Sequence, residues 1–266
     1  MLIALDIRTV QDHFPGIGRY TYNLALALAD VAGDDELLLI HDASQRNTRF
    51  NLDVLRAKAN IDVADCAAPN FSLREQIRVP ALLRHRRASV YHSPYYIMPY
   101  RTPCPALVTI HDLVPMLYPR YFTALQRLAF ALTLRVAIHS SRRIVVDSAA
   151  TAADLERKLQ VPREKIVVVP AAADPDMVRP DQSRIDEVKA HYGLPGGYVL
   201  YVGSNKPHKN LARLVRAYSE VGRRAGIPLV LAGPWDPRHP EARRLAETLE
   251  PNLCWNEPSP SCTEWS

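Results

Sequence analysis

The chain has 266 residues, 47% hydrophobic and 23% charged, a globular balance that excludes a disordered or low-complexity polypeptide. Single cores stop growing near about 250 residues, so two domains are expected. The net charge of +5 comes without interleaved aromatics or a helix-turn-helix pattern. It argues against nucleic acid and for anionic small molecules or an anionic membrane surface.

Met1-Leu2-Ile3-Ala4-Leu5-Asp6 has no basic leader and no small-residue cleavage site, so it reads as a first strand rather than a secretory signal. Short apolar runs then alternate with stretches of helical period. That is the pattern of parallel strands joined by crossover helices. Strands are expected at 2–7, 36–41, 60–64, 89–92, 106–110, 143–147 and 165–169, and helices at 17–32, 72–87, 120–140 and 149–159. These make a first doubly wound domain, residues 1–175. Prolines and glycines between 170 and 197 mark a connection, interrupted by a short helix around Arg184 to Tyr192.

A second domain, residues 190–266, is expected to hold strand 198–202, helix 211–225, strand 228–232 and helix 240–250. Two strands are too few for an independent doubly wound sheet. Residues 252–266 show no apolar period, so a truncated or frameshifted second domain is expected, the alternative being a natural loop that closes a small domain. No apolar stretch reaches the roughly 20 residues that cross a bilayer. Cys66, Cys104, Cys254 and Cys262 form no C-x-x-C pair and no zinc spacing, so a reduced, cytoplasmic location is the simplest reading.

Three loops carry chemistry. Gly16-Ile17-Gly18-Arg19-Tyr20 reads as a glycine loop between the first strand and its helix, where backbone amides and the helix terminus can approach a phosphate. A tight turn would select the same glycines. His111 and Asp112 follow a buried strand at the sheet's carboxyl edge, where open α/β sheets bind ligands. There His111 can bind a hydroxyl or shuttle a proton, with Asp112 orienting it. The alternative is a His-Asp pair capping the next segment. Val202 to Asn210 places Lys206 and Lys209 where they can neutralise a departing diphosphate, or form a solvated turn.

Two further features are weaker. Asp174-Pro175-Asp176 is a D-x-D triplet, but it lies in the connection, so no metal is expected. Leu73 to Arg87 pairs Leu73, Ile77, Ala81 and Leu82 with Arg74, Arg78, Arg84, Arg86 and Arg87. It could lie on an anionic membrane surface or pack as an ordinary helix.

Taken in order, Asp6, Gly16 to Tyr20, His111-Asp112-Leu113, Val146-Asp147-Ser148 with Asp154-Leu155, Lys165 to Pro170, and Gly203 to Asn210 resemble the retaining GT-B glycosyltransferases of the mannosyltransferase-like family 4. The resemblance covers roughly residues 1 to 250. It implies an α/β GT-B fold of two Rossmann-like domains, the second incomplete. It also implies transfer of a sugar, with GDP-mannose as one donor, to an acceptor hydroxyl with retention and without metal or other cofactor. Gly16, Gly18, Lys206 and Lys209 would hold the donor diphosphate, and His111 would lie near the transferred sugar. Ser204 stands where many members carry an Arg. The family's acidic segment with two Glu eight apart has no match in residues 203–266.

The expected partners are therefore a nucleotide sugar and a sugar or lipid-linked acceptor, in cell-surface polysaccharide or glycolipid synthesis. Peripheral contact at the membrane's inner face is a further option. A different class is an inactive remnant that serves as a binding module. A sugar-nucleotide epimerase is disfavoured by the lack of clear paired carboxylates near the cleft.

Overall fold

The structure, a computed structural model, describes residues 1–174, 177–194 and 196–249, apart from the side chains of 223–225, together with the backbone of 254–256. Two units divide the chain, Met1–Asp174 and Pro175–Trp265.

In the first unit β1 (Leu2–Asp6), β2 (Glu36–His41), β3 (Ile61–Asp65), β4 (Val90–Ser93), β5 (Ala106–Thr109), β6 (Arg143–Val146) and β7 (Ile166–Val168) alternate with helices. These are α1 (Pro15–Val31), α2 (Leu52–Arg56), α3 (Glu75–His85), α4 (Val114–Leu117), α5 (Ala124–Ser140) and α6 (Ala149–Leu159). The sheet runs β3-β2-β1-β4-β5-β6-β7, every pair parallel. Strands such as β2 are apolar on both faces because both are covered. In β2, Leu37 and Leu39 pack with Tyr22, Ala25 and Leu55 of α1 and α2. Leu38 and Ile40 point the other way, into a core shared with Val79 and Leu83 of α3, Leu134 of α5 and Leu155 of α6.

Two local expectations change here. Helix α1 begins at Pro15 rather than residue 17, because proline at N1 has no N–H to satisfy and its φ is already helical. The Gly16–Tyr20 segment is thus the first turns of a helix, not a loop. The short helices α2 and α4 are one turn each and show no period for a sequence to reveal.

The second unit contains α7 (Gln182–Tyr192), β8 (Val199–Val202), α8 (Leu211–Ala225), β9 (Leu229–Ala232), α9 (Glu241–Leu249) and β10 (Cys254–Asn256). Asp181 caps α7 by accepting from the Arg184 amide at 2.8 Å, which starts this helix two residues before the expected position. The sheet order is β10-β9-β8, all parallel. Strand β10 falls in the stretch expected to hold no element. It exists through pairing with β9, Cys254 opposite Val230 and Asn256 opposite Ala232, rather than through a period of its own. Leu211, Leu229, Leu231 and Ala242 form the core of this unit, with Tyr201 and Trp235 against it.

Candidate functional site

At the carboxyl end of the first unit's sheet, β5 runs out into His111, β6 into Asp147, and α1 brings Tyr20 across from the end of β1. The His111 Nε2 lies 3.0 Å from the Pro94 carbonyl oxygen. A carbonyl can only accept, so Nε2 carries hydrogen and donates to it. On the other side of the ring, Nδ1 is 3.5 Å from an Asp147 oxygen, a pair that is ionic only when the imidazole is protonated. Tyr20 sets its ring edge-on to the imidazole, with centroids 4.8 Å apart. The Thr151 hydroxyl donates to the His111 carbonyl at 3.1 Å, and Ser148 caps α6 below it. His111 is therefore held from three directions, and by Asp147 as well when the imidazole is protonated.

Asp112 does not orient His111. Its carboxylate accepts from the Val114 amide at 2.9 Å and starts α4, because consecutive residues leaving a strand point to opposite sides. Asp147, at the matching end of the neighbouring parallel strand, faces Nδ1 and takes that place when the imidazole is protonated. A second histidine backs the site: His92 Nε2 is 2.9 Å from the Thr109 hydroxyl, and Thr109 also hydrogen-bonds Tyr20. Burial holds the His92 imidazole down to about 4, against an opposing pull from Asp6. Burial also pushes the Tyr20 phenol above its ordinary range. Both groups are uncharged at neutral pH, so they shape the site without adding charge to it.

The two glycines of α1 differ in role. Gly16 has open space around its Cα and lies in the first turn, which has no side-chain cap. Its amide faces the region where a helix terminus attracts anions. The Gly18 N–H is already spent on the Phe14 carbonyl at 2.6 Å, so it is not free for a phosphate. A Cβ on Gly18 would stand 2.8 Å from the Thr9 carbonyl oxygen and 3.0 Å from the Phe50 ring. Glycine is required there because α1 crosses the loop after β1 in backbone contact. Gly18→Ala is expected to lower stability by about 1–3 kcal/mol, although alanine ordinarily gains about 1 kcal/mol over glycine inside a helix. A denaturant midpoint that rises instead would remove this packing role.

Lys206 and Lys209 bound a single 3-10 turn in the second unit, between β8 and α8, and both are exposed. The turn is held by Asn205, which is buried. Its Nδ2 donates to the carbonyls of Asp236 and His239, both at 2.8 Å, and its Oδ1 accepts from the Asp236 amide at 2.7 Å. This ties the loop after β8 to the loop after β9. Where these loops meet, Gly233 has φ +138° and a Cβ there would lie 2.4 Å from the Gly203 carbonyl oxygen, so the backbones touch. Beside them Tyr201, Asn205, Leu211, Trp235 and Arg243 line a cleft, with the Arg243 guanidinium 4.6 Å over the Trp235 ring. The D-x-D reading at Asp174 to Asp176 lies partly outside the described residues. Asp174 itself accepts from Asn23 Nδ2 at 3.2 Å.

Residues 15–177, more than half the chain, match the family described as Glycosyltransferase Family 4. The chain belongs to glycosyltransferase family 4. Among curated proteins it is similar to the O-antigen chain mannosyltransferase B of Escherichia coli, 28% identical over 253 residues. That match takes in 88% of this chain and 64% of the relative, so the chain spans less than two thirds of its length. Among solved structures it is similar to Anabaena Alr3699/HepE in complex with UDP-glucose, with a TM-score of 0.66, 13% identity and coverage of 96% of this chain and 68% of that one. It is also similar to WaaG, a glycosyltransferase involved in lipopolysaccharide biosynthesis, with a TM-score of 0.64, 14% identity and coverage of 99% and 72%. At these identities the likeness establishes fold: α/β of the GT-B class, with two parallel-sheet units and the second the smaller.

Tyr20, Pro94, Asp147 and Asn205 are the site-forming residues that the sequence reading assigned no role. The usable signal was position. Asp147 follows a buried strand one strand over from the one that precedes His111, on the same sheet edge.

Proposed function

We propose that the chain is a nucleotide-sugar-dependent hexosyltransferase that transfers a mannosyl group from GDP-mannose, with retention and without a metal, to an acceptor hydroxyl in surface polysaccharide or glycolipid synthesis. The family match over residues 15–177 carries this reading, and the likeness to an O-antigen mannosyltransferase favours mannose. The Gly16 amide and the α1 terminus are one anchor for the diphosphate, and Lys206 and Lys209 supply positive charge for the leaving group. A hydroxyl presented to His111 competes with the Pro94 carbonyl for the Nε2 hydrogen. Catalysis then rests on positioning and on stabilising the diphosphate rather than on a strong base.

Titration of the purified chain with GDP- and UDP-sugars by calorimetry, with sugar release assayed in parallel, tests this. Binding with turnover is expected, stronger for GDP-mannose. Lys209→Ala should weaken diphosphate binding by about tenfold, the loss of one charge-assisted hydrogen bond; an unchanged affinity removes Lys209 from the site. Absence of any nucleotide binding at millimolar concentration would replace the transferase reading with that of a binding module.

A further inference from the structure

A row of aromatic rings runs away from the candidate site of the first unit. His13 and Phe14, just before α1, have ring centroids 4.7 Å apart, and Phe14 lies 5.8 Å from Tyr95. Tyr95 is 4.3 Å from Tyr96, and Tyr96 is 6.3 Å from Phe71. The inner end adjoins both supports of His111. Pro94, whose carbonyl accepts from His111, precedes Tyr95 in the chain, and Phe14 leads into the helix that sets Tyr20 against the imidazole. The middle is anchored, since Tyr96 packs on the buried Phe130 with centroids 5.1 Å apart. The Ser93 hydroxyl lies 2.7 Å from the Tyr95 carbonyl oxygen and 2.8 Å from that of Ile97, which holds this loop in place. The outer end is Phe71, 63% exposed and at φ +64°, a left-handed conformation that bulky side chains rarely adopt. Its amide donates to the buried Glu75 carboxyl at 3.1 Å, which fixes that conformation. Backbone strain that keeps a phenyl ring in water points to a use for the ring.

We propose that this row is a subsite for a neutral oligosaccharide, the glycan part of the acceptor, whose successive hexose residues lie over Phe14, Tyr95, Tyr96 and Phe71 as the chain leads away from His111. Its role as an acceptor subsite rests on the transferase reading above. A pyranose presents C–H bonds on its faces and hydroxyls around its rim. The C–H hydrogens carry slight positive charge and meet the negative face of an aromatic ring. Steps of 4.3 to 6.3 Å between rings are close to the rise of one hexose along a glycan, so one sugar can meet one ring. Polar groups stand beside the rings for the hydroxyls. His13 and Asp112 are exposed. Burial, with Asp112 adding to it, holds the Tyr95 and Tyr96 phenols above their ordinary range, so both remain uncharged hydroxyls. An anionic ligand would be repelled by the Asp112 carboxylate. An alkyl tail would cover these polar groups without pairing them.

Calorimetric titration of the full chain with manno-, gluco- and galacto-oligosaccharides, each from monosaccharide to tetrasaccharide and without any donor, tests the inference. In at least one series affinity should rise with each added residue up to the tetrasaccharide, and it should be insensitive to salt because the ligand is neutral. Phe71→Asn keeps a residue that tolerates the left-handed backbone, and Phe71→Leu keeps apolar bulk without a π face. Each should weaken the tetrasaccharide roughly fivefold and leave the disaccharide within about twofold, since Phe71 is the far end of the row. Tyr95→Leu, beside His111, should weaken both. Phe71 is exposed, and unchanged melting of its variants verifies that the fold persists. Affinity that does not grow with length in any series overturns the proposal. So does an unaltered tetrasaccharide affinity in Phe71→Asn. A decyl monosaccharide that binds as tightly as the tetrasaccharide, equally well in Phe71→Leu, also overturns it by giving the row to a lipid tail. Length-dependent glycan binding by a chain that binds no nucleotide sugar removes only the transferase reading. Turnover without length dependence removes only this inference.

Discussion

Replacing Asp6 by alanine is expected to destabilise the first unit by about 3–5 kcal/mol, the cost of leaving a buried charge without its partner. Asp6 ends β1 and Arg8 follows it into the interior, where the Arg8 side chain is 1% exposed. The Asp6 carboxylate accepts from Arg8 Nε at 2.9 Å, Arg8 Nη2 at 2.6 Å, the Arg8 amide at 3.1 Å and the Tyr91 hydroxyl at 2.6 Å. Arg8 Nη1 donates to the Ala68 carbonyl at 2.6 Å. Burial works against the guanidinium's charge, and the Asp6 carboxylate outweighs it, so Arg8 is held firmly protonated. Without Asp6 the guanidinium keeps one carbonyl and one distant carboxylate. Urea unfolding at about pH 5, where Glu75 is protonated, gives the full loss. A loss under about 1 kcal/mol would mean the network is solvated rather than buried.

Glu75→Gln should have the opposite sign and a marked pH dependence. Glu75 is the second carboxylate facing a single guanidinium. It meets Arg8 Nη1 only at 3.5 Å, accepts from the Phe71 amide at 3.1 Å, and leaves Oε1 buried without a partner. Burial pushes its carboxyl up to about 7, with Asp6 adding to the rise and Arg8 opposing it. A raised carboxyl means the fold holds the proton more tightly than the unfolded chain does. Stability contributed by the neutral form is therefore present in acid and lost as pH rises from about 4.5 to about 7. The loss is on the order of 3 kcal/mol at about pH 7.5. The glutamine variant escapes it, so its advantage over the parent should grow across that window and stay flat above. His92 acts in the reverse sense. Its lowered imidazole favours the fold as pH rises from about 4 to 6.5. The parent's profile alone is thus a composite, and the difference between the two proteins isolates Glu75. Parallel profiles would place Glu75 in water.

The clearest strands of the first sheet were readable because burial on both faces writes them as unbroken apolar runs, as in Leu37 to Ile40. What escaped reading depends on partners distant in sequence. Gly18 looks like a loop residue until the Thr9 carbonyl beside it is seen. Asp112 adjoins His111 in the chain and turns away from it, whereas Asp147, 36 positions later, meets it because β5 and β6 are neighbours. Strand β10 has no pattern of its own and is defined by β9. The Asp6–Arg8–Glu75 cluster was equally hidden, since a buried arginine after a strand is identical in sequence to a surface one. The helix expected at residues 72–87 was legible and forms as α3, Glu75–His85.

The order of the first sheet also sets the timing of its assembly during synthesis. Strand β1 emerges first yet sits in the middle, between β2 and β4. Its pairing with β4 joins Ile3 to Val90. At about 5–20 residues per second, the nascent chain carries an apolar strand with one open edge for several seconds before its second neighbour leaves the ribosome. The slowest and most aggregation-exposed stage of this chain's life should therefore fall before residue 90, and a nascent-chain-binding chaperone should raise soluble yield most by acting there.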